Sequence, residues 1–210
     1  MSSVQAVIWD FGGVISSSPF EAFARFEAER GLPKDFLRTV NATNPDTNAW
    51  ARLERSEVDL DQFDEAFAAD SRALGHEVRG RDVVPLLSGQ IRPEMVEALR
   101  RIGARLKVGC ITNNFRSMSA SPMGSLYKGE IMALFHHVIE SAVVGLRKPD
   151  PRIYLMMTEA LQVEPSACVY LDDLGVNLKP ARELGMRTIK VGEARPALEI
   201  LQSHVGFPLF

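Results

Sequence analysis

Four short stretches carry the groups that could do chemistry: Asp10, Thr112-Asn113, Lys148 and Asp172-Asp173. Asp10 closes an apolar run at 7–9 and is followed by Gly12-Gly13. A short β-branched and aromatic run reads as a buried strand, and the glycine pair as the turn that stops it. A bare carboxylate in that place suits a nucleophile or a metal ligand, or the cap of the next helix. Thr112-Asn113 ends a second apolar run, where either residue can also cap a helix. Lys148 lies in a loop, the usual place of a solvated lysine. Asp172-Asp173 ends a third apolar run at 167–171. Adjacent carboxylates at the end of a buried strand repel each other unless a cation sits between them and Asp10. Oxygen-only ligands suit Mg²⁺, which keeps several waters and shares itself with a phosphate. A lysine opposite that cation would balance an anionic substrate.

Elements far apart in the chain must bring these groups together. Residues 16–90 read as helical throughout. Ser18-Pro19-Phe20-Glu21 looks like a capping box with proline at the first helical position. Phe20, Phe23, Ala24 and Phe26 follow on one face, and Gly31 is a stop. Further helices are expected at 32–40 and 50–55 and from Asp59 to Gly75. The phenylalanine stripes read as helix-packing core. Beyond residue 90 the pattern alternates. Helices are expected at 93–102, 151–161, 178–184 and 197–204, with the end of another at 131–135. Strands are expected at 106–112, 138–141, 167–171 and 188–191. Such alternation means a parallel sheet with right-handed crossovers, with 4–9 as its missing first strand. The chain is therefore read as an α/β core of residues 1–15 and 91–210 with a helical insertion, 16–90. A parallel sheet puts its carboxyl ends at one edge, where ligands bind, so the four stretches should converge there.

Composition narrows the function. The 210 residues are 46% hydrophobic and 24% charged, with a net charge of −3. No basic run of five occurs, which argues against a nucleic-acid partner. The apolar run at the N-terminus is too short for a signal or a membrane span, so a cytoplasmic protein with no membrane partner is expected. Cys110 and Cys168 lie inside apolar runs, where buried thiols are expected rather than a disulfide.

In order and spacing, these residues resemble the haloacid dehalogenase-like (HAD) hydrolase superfamily over nearly the whole chain. Asp10-Phe11-Gly12-Gly13-Val14 is similar to its first motif, Ile111-Thr112-Asn113 to its second, Lys148 within Gly145-Leu146-Arg147-Lys148-Pro149 to its third, and Asp172-Asp173-Leu174-Gly175-Val176-Asn177 to its acidic fourth. The run from Leu171 to Arg182 resembles in particular the N-terminal phosphatase domain of soluble epoxide hydrolase, and the related domain of a fused acyl-CoA dehydrogenase. No Gly-x-Ser-x-Gly occurs, so epoxide hydrolysis is not implied. The resemblance implies a Rossmann-like core with the insertion as a helical cap. It implies a hydrolase of a small phosphorylated molecule, with Asp10 as nucleophile forming an aspartyl-phosphate. Mg²⁺ would be held by Asp10, the Gly12 carbonyl and Asp173, with Asp172 and Asn177 acting directly or through water. Thr112 and the Asn113 backbone would grip phosphate oxygens, and Lys148 would neutralise charge between Asp10 and the phosphate. Phosphoryl transfer needs this kind of positioning and charge neutralisation above all. Phe20, Asn44, Asn48 and Trp50 are the candidate substrate contacts in the insertion.

One departure stands out. Phosphatases of this superfamily carry a second aspartate two residues after the nucleophile, and here that residue is Gly12. A positioned general acid/base contributes about 10²–10⁴ in rate. Three functions stay open: a phosphatase that manages without that side chain, a weakly catalytic or inactive binding module, and a 2-haloacid dehalogenase. Asp172-Asp173 speaks against the last, because dehalogenases of the superfamily need no metal. If Gly12 holds a positive φ, a side chain there would strain the turn.

Overall fold

Five strands form one parallel sheet in the computed structural model, which describes residues 3–115 and 129–210. They are β1 (Ala6–Trp9), β2 (Lys107–Thr112), β3 (His137–Glu140), β4 (Cys168–Asp172) and β5 (Arg187–Lys190), in the order β3-β2-β1-β4-β5. All four residues of β1 are apolar and buried, as a central strand covered on both faces requires. Trp9 pairs with Cys110 on β2 and with Leu171 on β4. Asp10, Thr112 and Asp172 therefore leave the sheet at one edge.

Between β1 and β2 come α1 (Phe20–Glu29), α2 (Phe36–Ala42), α3 (Ala49–Glu54), α4 (Leu60–Ala73), the short α5 (Gly80–Val83) and α6 (Pro93–Gly103). Later come α7 (Ser141–Val144), α8 (Pro151–Leu161), α9 (Gly175–Glu183) and α10 (Ala194–Val205). One face of the sheet packs Val7 and Trp9 against Met95, Leu99 and Ile102 of α6 and Leu198 and Leu201 of α10. The other packs Ile8 and Tyr170 against Tyr154 and Met157 of α8 and Leu178 of α9. The alternation of residues along β1 supplies both cores.

The helices α1 to α5 have a core of their own. Phe23, Phe26, Leu37, Trp50, Phe63 and Phe67 cluster there, and Phe115 joins them from beyond β2. The Trp50 and Phe63 rings lie 4.6 Å apart. The phenylalanine stripes are thus packing residues. The segment is entered and left through a narrow neck. Ser16 bridges Ile91, the Ser17 N–H donates to Gln90 O at 2.7 Å, and the Arg92 N–H donates to Ile15 O at 2.9 Å. Gly89 lets the two chains meet, because a Cβ there would lie 2.4 Å from Ser17 O.

Two helix starts differ from the sequence reading. The capping box at Ser18 does not form: Pro19 caps α1, with no side-chain hydrogen bond, and the Ser18 hydroxyl is engaged elsewhere. α2 begins at Phe36 rather than near residue 32, because Asp35 is left-handed with φ 60°. Buried Glu27 caps that helix from α1, accepting from the Asp35 and Leu37 N–H groups at 2.9 and 2.8 Å. At α4 the expected box does form, between Asp59 and Gln62. Cys110 and Cys168 are buried thiols. Among the described residues, no helix is long and apolar enough to cross a membrane.

Candidate active site

Asp10 continues the ladder of β1, its N–H donating to Leu171 O at 2.9 Å. Its Oδ1 accepts from the Phe11 N–H at 2.7 Å, which aims the carboxylate back over the strand end. The next five residues make one wide turn, closed by the Ser16 N–H on Phe11 O at 3.0 Å. Gly12 has ordinary extended backbone (φ −70°, ψ 129°), and the positive φ falls on Gly13 (φ 76°). A Cβ on Gly13 would lie 2.2 Å from Asp173 Oδ2, whereas one on Gly12 would meet nothing within 4 Å. The strain expected at Gly12 therefore belongs to its neighbour, and Gly12 is an exposed, sterically open position.

Lys148 is 1% exposed. Its Nζ lies 2.8 Å from Asp10 Oδ1 and 2.8 Å from Asp172 Oδ2. Asn113 holds the Lys148 backbone on both sides, its Oδ1 accepting from the Lys148 N–H at 2.9 Å and its Nδ2 donating to Lys148 O at 3.1 Å. Thr112, buried at the end of β2, precedes that clamp.

Asp172 is fully buried and surrounded by donors. Oδ1 accepts from the Leu174 N–H at 2.8 Å and Asn177 Nδ2 at 3.0 Å. Oδ2 accepts from Lys148 at 2.8 Å, the Tyr170 hydroxyl at 2.5 Å and Asn177 Nδ2 at 3.1 Å. Tyr170 precedes Asp172 by two residues on β4, so both point to the same face. Tyr154 of α8 packs edge-on against Tyr170, and its hydroxyl donates to Asn177 O at 2.7 Å. Asp173 is less enclosed, with its Oδ2 accepting from the Ser18 hydroxyl at 3.1 Å.

One carboxylate oxygen from each of Asp10, Asp172 and Asp173 lies within 4.8 Å of the others, and the buried Lys148 ammonium contacts Asp10 and Asp172. Burial pushes the Asp10 carboxyl up to about 8, against the pull of Lys148 and with added push from Asp172 and Asp173. Burial and the Asp172 charge lift Asp173 to about 6, with the Ser18 hydrogen bond acting the other way. Burial disfavours the Lys148 ammonium, but Asp10 and Asp172 outweigh it and hold its pKa above the ordinary lysine value. Among the described residues, the three carboxylates outnumber the one ammonium that they face. Its donor set of carboxylate oxygens fits a hard divalent cation of the magnesium kind. A cavity of about 480 Å³, lined by Arg55, Arg147, Pro149 and Arg152 among others, runs beside the Lys148 loop. The Lys148 ammonium lies deeper, between the two aspartates.

The sheet thus brings Asp10, Thr112, Asn113, Lys148, Asp172 and Asp173 to one edge, with Gly12 opening beside them. Of the four candidate contacts of the helical segment, Phe20, Asn48 and Trp50 are engaged within the segment and Asn44 is exposed. Asn48 caps α3 by accepting from the Ala51 N–H at 2.9 Å. Trp50 is in the aromatic core. The Arg38 guanidinium covers the Phe20 ring, 4.4 Å from its centroid, and Asn44 sits exposed in a left-handed turn. Sequence reasoning missed Ser18, Tyr170 and Glu54, whose Oε2 accepts from Asn113 Nδ2 at 3.1 Å. Two-residue spacing on a strand could have found Tyr170; nothing local marks the other two.

Comparison with known proteins agrees with this geometry. The model of the haloacid dehalogenase-like hydrolase family matches residues 4–185. Acyl-CoA dehydrogenase family member 10 of Mus musculus is 34% identical over 99% of this chain and 20% of its own length. Bifunctional epoxide hydrolase 2 of Sus scrofa is 31% identical over 99% of this chain and 40% of its own. The chain thus spans a minor part of both. Phosphatase MT3486 of Mycobacterium tuberculosis (strain CDC 1551 / Oshkosh) is 31% identical over 90% of this chain and 88% of its own length. Two solved structures share the fold. One is a HAD family enzyme of Bacteroides thetaiotaomicron, crystallised with magnesium and inorganic phosphate (TM-score 0.60, 16% identity, 90% of this chain and 95% of that one). The other is a dehalogenase in an intermediate complex (TM-score 0.68, 17% identity, 99% and 100%). A parallel sheet that brings three polar strand ends and the Lys148 loop to one edge, and a family match across most of the chain, lead to one conclusion: the chain belongs to the haloacid dehalogenase-like hydrolases.

Proposed function

We propose that this chain is a Mg²⁺-dependent phosphatase of a small phosphorylated molecule, working through an aspartyl-phosphate on Asp10. The observation that carries this reading is the Asp10 carboxylate. It stands at the end of β1, fixed by Lys148 at 2.8 Å, with a second acidic residue, Asp173, in reach. The relative from M. tuberculosis is named a phosphatase, and the B. thetaiotaomicron enzyme was crystallised with magnesium and phosphate. Both support the assignment.

Asp10, Asp173 and the Gly12 carbonyl are the groups proposed to hold the metal. Both Asp172 oxygens are occupied by donors, so we assign Asp172 to anchoring Lys148. Bound Mg²⁺ would offset the clustered carboxylates and polarise the phosphoryl group. The remaining work falls to the chain. An Asp10 oxygen attacks phosphorus and the bond to the leaving oxygen breaks. Water then attacks phosphorus, phosphate leaves and Asp10 is restored. Lys148 keeps Asp10 oriented and neutralises the phosphoryl charge. Thr112 and the Asn113 N–H are assigned to the phosphate oxygens. Helices α1 to α5, residues 16–90 in our division, act as a cap that limits water at the edge.

Gly12 offers no proton, so the leaving group takes one from solvent or departs without it. This favours phosphate esters and anhydrides with good leaving groups. It is also the observation that favours a second reading, a weakly catalytic or inactive binding module. Phosphate release from a panel of phosphorylated metabolites, with and without Mg²⁺ and with an Asp10→Asn control, tests the assignment. Release that needs both Mg²⁺ and Asp10 supports it. Mg²⁺ or phosphate binding without turnover selects the module, and metal-free halide release from 2-chloropropionate selects a dehalogenase.

A further inference from the structure

Glu54 is the last residue of α3, in the helical segment, yet its carboxylate reaches the strand edge. Its Oε2 accepts from Arg147 Nε at 2.6 Å and from Asn113 Nδ2 at 3.1 Å. Arg147 precedes Lys148 in the chain. Asn113 clamps the Lys148 backbone through both its N–H and its carbonyl. One oxygen from the helical segment therefore touches both residues that fix the main chain of Lys148. The pair is largely shielded, with the Arg147 and Glu54 side chains 20% and 17% exposed. Two neighbouring contacts seat the same corner: Arg147 Nη1 donates to Pro45 O at 2.8 Å, and the Ser56 hydroxyl donates to Ala142 O at 2.9 Å.

We infer that Glu54 is a positioning residue for Lys148, so that the seating of the helical segment sets the placement of the ammonium between Asp10 and Asp172. The role needs reach more than charge. Asn113 Nδ2 has two acceptors, Glu54 and Lys148 O. Without Glu54 the amide keeps its two bonds to the Lys148 peptide, but the Asn113–Lys148 pair and Arg147 lose the contact that fixes them against the helical segment, and the ammonium moves. A displacement of about 1 Å in a catalytic group costs on the order of 100-fold in rate. The inference rests on the phosphatase reading for its kinetic arm only.

Protein labelled with ¹⁵N at the lysine side-chain nitrogen gives the direct test. A slowly exchanging Lys148 ammonium signal is expected in the wild type, assigned by its absence in Lys148→Arg. In Glu54→Ala that signal should broaden or shift, while the melting temperature shows a folded protein. Glu54→Gln keeps the reach and an acceptor oxygen and should retain it. Glu54→Asp keeps the charge but falls short by one methylene and should lose it. On a phosphate ester, Glu54→Ala should lower kcat about 10- to 100-fold with KM changed little, and Glu54→Gln should recover most of the loss. A folded Glu54→Ala with an unmoved Lys148 signal overturns the inference, as does Glu54→Asp behaving like wild type. If Glu54→Ala fails to fold, the Gln and Asp variants decide. If wild type and Asp10→Asn release phosphate equally, the phosphatase reading fails, and the ammonium signal still decides the role of Glu54.

Discussion

Ser18 and Asp173 are 155 residues apart in sequence and 3.1 Å apart in space, the Ser18 hydroxyl donating to Asp173 Oδ2. Ser18 lies between the neck and α1, so the first residues of the helical segment touch the acidic edge directly. Glu54 makes a second contact of this kind through the Lys148 loop.

The Ser18 bond stabilises the ionised form of Asp173, so Ser18→Ala should raise that carboxyl above its value of about 6. Mg²⁺ affinity at pH 6 should then fall roughly tenfold, the lower end of what partners of metal ligands are worth. Asp173→Asn should weaken Mg²⁺ further, and the metal-free protein should gain stability through relief of carboxylate repulsion. Calorimetric titration measures both; unchanged affinity in Asp173→Asn removes that residue from the ligand set.

The two glycines of the turn should behave oppositely. Gly12→Asp meets open space on ordinary backbone, so it should fold with an unchanged melting temperature. It should raise turnover of alkyl phosphates, toward but short of the ~10²–10⁴ of a built acid/base. Aryl phosphates, whose leaving groups depart unprotonated, should gain little. Gly13→Ala combines a positive φ with a clash on Asp173, and should lose about 1–3 kcal/mol from backbone strain alone. A stable Gly13→Ala, or a Gly12→Asp with no selective gain on alkyl esters, contradicts this account of the turn.

Stability should depend on pH in a direction set by the raised carboxyls. Asp10 at about 8 and Asp173 at about 6 hold protons in the folded state that their unfolded forms release near 3.8. The folded state therefore binds more protons between these values, and metal-free stability falls as pH rises from about 4 to 8. Saturating Mg²⁺ should flatten that slope by replacing the protons with a cation. Melting curves across this range, with Mg²⁺ or with a chelator, check both parts; a metal-free melting point that rises from pH 5 to pH 8 contradicts the assignment.

Lys148→Met should expose how much the edge depends on one ammonium. The substitution leaves Asp10 and Asp172 buried without their shared partner. Removing one member of a buried charged group costs about 3–5 kcal/mol. The loss should be largest at high pH, where the Asp10 carboxyl must ionise, and should shrink in acid. Denaturant titration at pH 5 and pH 8 reads the difference.

The sheet and its edge were legible because strands β1, β2 and β4 are apolar runs that each end abruptly in a polar group, and parallel strands put such ends together. The helical segment was legible from phenylalanine spacing and from Asp59-Gln62. Ser18 was misread because Ser-x-x-Glu before an apolar run satisfies a local capping rule, and the tertiary partner Asp173 outcompeted it. The late start of α2 follows from Asp35 adopting φ 60°, a choice stabilised by Glu27 from another helix. Glu54 could not be singled out, because a glutamate at the end of a short amphipathic helix has the pattern of a surface residue. Its partners are 59 and 93 residues away.

The neck has a consequence for how such a chain can be assembled and altered. Entry and exit of the helical segment are hydrogen-bonded side by side at Ser17 and Gln90. Closing this long excursion is therefore fixed at one point outside the sheet, and β1 meets β2 in the same register whatever lies beyond it. Loop-closure entropy changes only slowly with length, by about 0.6 kcal/mol per doubling. The strand register can thus tolerate insertions and deletions between residues 18 and 88, provided that Gly89 keeps the two chains close and that the contacts of Ser18 and Glu54 with the strand edge are kept. Inheritance can vary the segment away from those two contacts while the sheet stays its fixed mount.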